Sequence, residues 1–453
     1  MGFGSLALAS MFAKESSVSA AVDPLSPVPP PLFARAKRMI FLFMVGGVSQ
    51  VDTFEPKPLL TRDDGKPFPF AKPRVQFNST TNLLKSPWSF KQYGESGMWV
   101  SELFPHVAQR VDDLCMVHSM HGTNPAHGGA MMKLHTGSDN FIRPSIGSWV
   151  SYGLGTENAN LPAFVTICPT LGHGGITNWS SAFLPAVHHG TPLGNASVPA
   201  DKAQVKFIQN QEWTRDLQRI QLDRLNAKNR EYLAQTGPEA SLEARINSFE
   251  LAFRMQNEFP KVEDLSGESA ATLKLYGMDN PVTANFGRMC LMARRFSESG
   301  VRFVQVSHSD SNVQWDQHSN LKEGHEKNAK EVDLPIAGLL TDLKQRGLLE
   351  DTLVWWGSEF GRTPTAESGN GRDHNPEGFT MWLAGGGVKG GFRYGATDDY
   401  GYYATENKVH IHDLHATLLH ALGLDHEQLT YRYAGRDFRL TDIEGNVVSE
   451  LFV

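Results

Sequence analysis

Six short apolar runs recur along the chain, each followed by a polar or glycine-rich stretch: RMIFLFMVGG at 38–47, DLCMVHSM at 113–120, PAFVTIC at 162–168, GVRFVQVSH at 300–308, DTLVWWGSE at 351–359 and TMWLAGGG at 380–387. Their apolarity is continuous rather than alternating, which is the pattern of strands covered on both faces. Helical periodicity lies between them. In DLPIAGLLTDLKQRG, Ile336, Leu339, Leu340 and Leu343 fall at i, i+3, i+4 and i+7, Lys344 and Arg346 close the last turn, and Gly347 is the stop. This spacing predicts a crossover helix feeding the strand at 351. Strands alternating with helices in this way predict an α/β fold with a mostly parallel sheet.

The pattern changes between 201 and 260. There, WTRDLQRIQLDRLNAKNREYLAQ and SLEARINSFELAFRMQ are charged, helically periodic and joined by TGPEA. They predict an antiparallel helical hairpin inserted into an α/β domain that spans 36–453. At the other end, GFGSLALASMFA is a small-residue apolar run too short to span a bilayer. Five prolines follow within 23–31. Residues 1–31 therefore read as a signal-like segment with a proline-rich linker, and the protein as exported, periplasmic or at the cell surface. No transmembrane segment is predicted elsewhere.

Composition narrows the function. The 453 residues are 40% hydrophobic, enough for a large core, and the net charge of −7 offers no basic face for nucleic acid. Cys115, Cys168 and Cys290 are widely spaced with no C-x-x-C. Neither a zinc knot nor a disulfide framework is signalled, and buried free thiols are expected.

In open parallel sheets the loops leaving the carboxyl ends of strands build the ligand site. Here those loops hold Asp52 in GGVSQVDTFEPKP, Asp310, Asp316 and His318 in SDSNVQWDQHSN, and Glu359, Arg362 and Thr363 in SEFGRTP; GRDHNPEGF adds Asp373 and His374 just before the next strand. Carboxylates and imidazoles converging at one sheet edge are what a hydrolytic divalent-metal centre needs. Asp52, Asp316, His318, Glu359, Asp373 and His374 are thus candidate ligands for a divalent metal, whether zinc, calcium or magnesium. Arg362 is a candidate catalytic group facing an anion, and Lys133 and Arg372 are candidates to hold it, since guanidinium matches sulfate and phosphate oxygens. Structural readings stand beside these: Asp52 capping a turn, Glu359 paired with Arg362 or Arg372, Asp373 in an Asx-turn, and loop histidines bonded to backbone.

The path EVDLPIAGLLTDLKQRGLLEDTLVWWGSEFGR resembles the sulfatase and alkaline-phosphatase superfamily, as does HIHDLHATLLHALGLD near the C-terminus. FLFMVGGVSQVDTFEPKP, WDQH, EFGRTP, GRDHNPEGFTMWLAGGGVKGG and YRYAGRDFRLTDIEGNVV resemble, more closely, the exported bacterial family called domain of unknown function 1501, over residues 36–453. The resemblance implies an alkaline-phosphatase-like three-layer fold. It also implies that Asp316 and His318 supply one metal position, that His374 is that metal's second histidine, and that Asp52 is the early acid of a second position. Glu359-Phe360-Gly361 stands where the superfamily has Asp-His-Gly, so a phenylalanine replaces one ligand. None of the cysteines lies in the Cys-x-Pro-x-Arg context that yields formylglycine; HGTNPAHGGAMMKLHTG stands in the corresponding place, and the resemblance implies Thr123 as candidate nucleophile and His127 as general base or ligand. The function implied is an exported metal-dependent hydrolase of sulfate or phosphate esters, acting on an anionic ester such as a sulfated glycan. The alternative that the losses imply is a catalytically reduced binding module at the cell surface.

Overall fold

The computed structural model describes residues 24–70, 82–237, 239–310 and 314–453. The apolar part of the signal-like segment lies outside them. Its proline-rich continuation does not hang free: Leu25 is buried, and Val28 N–H donates to the Leu154 carbonyl at 3.0 Å. Prolines hold the chain extended, and the extended chain lies along the body.

All six apolar runs form strands. They are β1 (Arg38–Met44), β2 (Leu114–His121), β3 (Phe164–Ile167), β5 (Phe303–His308), β6 (Thr352–Gly357) and β9 (Phe379–Ala384). Short strands β4 (Thr191–Leu193), β10 (Phe392–Tyr394) and β11 (Val409–His410) complete a nine-stranded sheet of order β10-β2-β9-β6-β1-β5-β3-β4, with β11 also on β2. With two or three residues each, these additions carry no periodicity that a sequence could show. β1 pairs in parallel with both β5 and β6, matching Met39 to Phe303 and to Leu353, whereas β9 runs antiparallel to β2 and β6.

Continuous apolarity serves a sheet sandwiched between helices. Ile40, Leu42 and Met44 of β1 enter one core with α5 (Ala284–Glu298) and α6 (Leu321–Gln345). Met39, Phe41 and Phe43 enter the other, with α1 (His127–Thr136), α2 (Ile146–Leu154) and α7 (Ile411–Ala421). Each fully buried Leu or Phe in these layers contributes about 1.5–3 kcal/mol, so the two cores rather than helix propensity fix the architecture. The result is a three-layer α/β fold with a mostly parallel sheet.

The crossover helix α6 starts at Leu321, twelve residues before its apolar pattern begins. Its first half buries His325 and Asn328 beside Leu321, Ala329 and Val332, so a partly polar stripe hides the helix from sequence. The charged segment forms α3 (Arg215–Thr236) and α4 (Ala240–Glu263). Leu251, Met255, Phe259 and Val262 of α4 dock on the core, with Phe259 4.8 Å from Phe296 of α5. α3 rides on α4 through polar contacts, chiefly Arg219 forked onto Glu250 at 2.7 and 2.8 Å.

Because β5 and β6 must pair with β1, the parts of the chain before and after this hairpin share one sheet. Protease nicking between α3 and α4 should give two fragments that stay together in native gel filtration and separate only in denaturant. Fragments that separate without denaturant and fold alone would contradict the single-domain reading.

Candidate metal centre at the carboxyl edge of the sheet

After β1 the chain turns through Gly46 and Gly47, both at positive φ (119° and 89°). A Cβ on Gly46 would lie 2.7 Å from the backbone nitrogen of Trp315, so only glycine lets the segment carrying Asp316 pass this close. Trp315 N–H then donates to the Val45 carbonyl at 2.9 Å. The stretch after β6 does not remain a loop. Gly361–Glu367 (β7) and Gly371–Asn375 (β8) form a hairpin off the main sheet, with His374 opposite Arg362. Arg372 N–H bonds the Gln317 carbonyl at 3.0 Å, so the hairpin lies against the segment bearing Asp316 and His318.

Three imidazoles meet the Asp316 carboxylate there. His318 Nε2 and His374 Nε2 lie 3.0 and 3.1 Å from Asp316 Oδ1, and His127 Nε2 lies 3.2 Å from Oδ2. The two ring nitrogens of His318 and His374 are themselves 3.0 Å apart. On each ring the other nitrogen faces an acceptor. His374 Nδ1 donates to the Pro125 carbonyl at 2.6 Å, His318 Nδ1 to Glu367 at 2.5 Å, and His127 Nδ1 to Glu359 at 2.7 Å. With a proton on each Nδ1, every Nε2 presents a lone pair, and lone pairs this close to each other and to a carboxylate call for a cation among them. Asp373 adds a buried Oδ2 with no hydrogen-bond partner, and His318, Asp373 and His374 offer ligand atoms within 4.8 Å of one another. Three imidazole nitrogens with one or two carboxylates are a donor set that fits a divalent ion, and nitrogen of this kind suits zinc better than calcium or magnesium.

The local electrostatics divide the three rings: burial lowers His127 and His318, but hydrogen bonding to Asp316 and to Glu359 or Glu367 outweighs it and raises both, so that a proton holds these positions where no cation does. Burial pushes the His374 imidazole down to about 3, so it is neutral at ordinary pH. Burial also raises Asp316, but the contacts with His127, His318 and His374 and the Arg362 charge outweigh it and hold the carboxyl well below the usual range, as cationic partners do.

Other expected site residues lie elsewhere or act indirectly. Glu359 accepts Gly46 N–H on both oxygens, at 3.0 and 3.1 Å, and sits behind His127 as its orienting group rather than among the Nε2 atoms. Asp52 is buried under Arg372, at 2.6 and 3.1 Å, and takes the Ser49 hydroxyl at 2.5 Å; it belongs to none of the ligand groups among the described residues. The remaining donors of Arg372 reach the Thr363 and Leu84 carbonyls, so this arginine has no free face for an anion. Arg362 is equally consumed. It bonds the carbonyls of Gly46, Gly47, Trp315 and Arg372 and contacts Asp316 at 2.5 Å, with its side chain fully buried. Lys133 lies in the last turn of α1, at the end away from His127, where its charge acts on His410 and Glu444. Thr123 is exposed on the loop that leads to Pro125.

Sequence reasoning missed Glu367 and the Pro125 carbonyl, which orient two of the histidines, and His173, whose ring lies 5.2 Å from His127. The signal for Glu367 was the turn SGNG between two short polar-apolar alternations, which reads as a hairpin. Phe360, at the expected histidine position, is buried with its ring 4.4 Å from His374 and 4.9 Å from His127. It fills the space beside the cluster with carbon. The three cysteines are free and buried, and burial pushes the thiols of Cys115 and Cys168 up to about 12. Neither is a thiolate nucleophile at neutral pH.

The Asp52–Arg372 pair gives a direct test of its structural role. Burial raises the Asp52 carboxyl, and Arg372 with Ser49 more than reverses this. Its folded pKa is therefore below the unfolded value of about 3.9, and its stabilisation is present above that pH and lost as pH falls through the folded value. Asp52→Asn should cost about 3–5 kcal/mol near neutrality, with the gap to wild type closing below pH of about 4, and should leave metal bound per folded chain unchanged. Denaturant melts with metal analysis would show it; a folded variant without metal would make Asp52 a ligand.

Comparison with known proteins places this geometry in context. Solved structures to which the chain is similar include the lipoteichoic acid synthase LtaP from Listeria monocytogenes, at 10% identity and TM-score 0.39, covering 92% of this chain and 79% of that one. The PsFucS1 sulfatase from Pseudoalteromonas sp. matches at 12% identity and TM-score 0.35, over 86% of this chain and 68% of its own. The alkaline phosphatase from the Antarctic bacterium TAB5 matches at 10% identity and TM-score 0.32, over 79% and 94%. No curated protein matches the sequence. The model of the family described as protein of unknown function (DUF1501) matches residues 36–452, nearly the whole of the described fold, and the chain belongs to that family.

Proposed function

We propose that the protein is a metal-dependent hydrolase of sulfate or phosphate esters, built around a single divalent ion of the zinc class. One observation carries the reading: three imidazole Nε2 atoms converge on Asp316 while each Nδ1 is tied to a fixed acceptor. An array of lone pairs oriented from behind is an arrangement for holding a cation, not for packing. His127, His318, His374 and Asp316 would hold the ion, with Asp373 beside them. The ion would act as a Lewis acid on an ester oxygen.

The chain's own residues define the rest. Glu359, Glu367 and the Pro125 carbonyl fix the ring orientations. Arg362 and Arg372 position the loops and do not touch substrate, so the charge that meets an anionic ester is that of the centre itself. Phe360 occupies the place of a second metal's histidine, which supports one ion rather than two. The same substitution, with both arginines consumed, is the observation that favours the second reading, a module that binds an anionic glycan without cleaving it.

His374→Ala should remove the bound metal and lower aryl sulfate or phosphate ester hydrolysis by about 100-fold or more, with the melting curve of the chelated protein little changed. Metal analysis and ester assays on wild type and variant decide between the readings. Metal bound by wild type with no turnover of any ester would favour the binding module, and no metal in either protein would remove the hydrolase reading. Export rests on residues 1–31, and cell fractionation of the full-length product tests it: recovery outside the cytoplasm is expected, and a cytoplasmic product retaining residues 1–31 would contradict it.

A further inference from the structure

A second group of ligand-type side chains sits at the start of α7, on the sequence HIHDLH. We infer that His410, His412 and Glu444 form a surface site for a zinc-class divalent ion, separate from the centre at His374 and independent of the hydrolase reading. One ligand atom from each lies within 4.8 Å of the others.

The chemistry of each nitrogen is set by its partners. His412 Nε2 donates to the Gly137 carbonyl at 2.8 Å, which leaves Nδ1 as the lone pair; that atom faces Glu444 Oε2 at 2.7 Å. His410 Nδ1 accepts the His412 backbone N–H in a long 3.3 Å contact and lies 3.5 Å from the same carboxylate oxygen. One carboxylate oxygen therefore lies near both ring nitrogens: an ion would take the His412 Nδ1 lone pair directly, and the His410 one in exchange for its long contact with the His412 N–H. Ligand atoms about 2.0–2.2 Å from a tetrahedral zinc are about 3.3 Å apart, and the two N···O separations fall on either side of that value. The backbone carbonyl behind His412 is the usual support for a ligating imidazole.

Two positive influences oppose a cation here, the start of α7 and the Lys133 charge, and the carboxylates of Glu444 and Asp413 offset them. Asp413 neutralises the positive end of α7, with Oδ2 accepting His410 N–H at 2.9 Å. Its Oδ1 takes the Asn446 backbone N–H at 2.7 Å, and this bond brings the Glu444 segment against the helix. An open cleft lined by His410, Asp413, Glu427, Glu444 and Asn446 leads to the group, so an ion can exchange with solvent. An ion there would clip the C-terminal segment to the first turn of α7 and so stabilise the folded chain by mass action.

The test uses the full chain, stripped with chelator and titrated with zinc alone, following bound zinc and melting temperature. Wild type should melt higher as zinc is added. Glu444→Gln should bind one zinc fewer, or hold it at least about tenfold more weakly, and lose the matching part of the melting shift. His410→Asn should do the same while keeping a good N-cap, which separates metal loss from helix damage. His374→Ala should retain this zinc, so failure of the sheet-edge centre and failure of this site give different patterns. Zinc content and melting response equal to wild type in both Glu444→Gln and His410→Asn would overturn the proposal and make His412–Glu444 an ion pair closed by a proton.

Discussion

The guanidinium of Arg362 is the interaction on which the carboxyl edge of the sheet depends. A fully buried positive charge must be surrounded by acceptors, and here they come from four places: the turn after β1, the Trp315 carbonyl, the Asp316 carboxylate and the opposite strand of its own hairpin. Removing one partner of such a network leaves a buried charge uncompensated, at a cost of about 3–5 kcal/mol. That cost is what forces loops from distant parts of the sequence into one geometry. Gly46 and Gly47 are glycines because these contacts leave no room for a Cβ, and the arginine holds the same Oδ1 of Asp316 that His318 and His374 meet.

Each histidine of the cluster is anchored by a different element. Glu359 follows β6, Glu367 ends β7, and Pro125 precedes α1. Ring orientation is thus fixed by the fold itself rather than by whatever the rings hold. Such preorganisation lowers the entropy lost when a ligand is bound, and it concentrates sensitivity to mutation in residues that never touch the ligand. Glu367 illustrates this: it lies on a hairpin tip, yet it decides which nitrogen of His318 is available.

The layers were legible in the sequence because Met39–Met44 of β1 and Leu353–Trp356 of β6 are apolar without interruption, a pattern that two-sided burial explains. The hairpin carrying Arg362 and His374 was not, because its buried residues are charged and satisfy one another. Sequence patterns equate charge with exposure, so Asp52, Arg362 and Arg372 read as open to solvent and ligands when they are in fact closed on themselves. Asp316, His318 and His374 were visible as residue types near the carboxyl edge of the sheet, although His374 lies on strand β8 and not in a loop. Their partners, a main-chain carbonyl and a glutamate in a turn, carry no composition signal, since a carbonyl is present at every position.

The excursion through α3 and α4 has a consequence for how the molecule comes into being. β1, the strand at the middle of the sheet, pairs with segments that begin at Phe303 and Thr352, and it has no sheet neighbour among the residues made before them that could close the centre. During synthesis the chain therefore emerges for most of its length without its central pairing. Ring closure over such a span is entropically expensive, and parallel pairing of distant strands is intrinsically slow. β1 can gain its first sheet neighbour only once His308 has been added and its second only once Gly357 has, and over that interval its apolar edge is open to association with other chains.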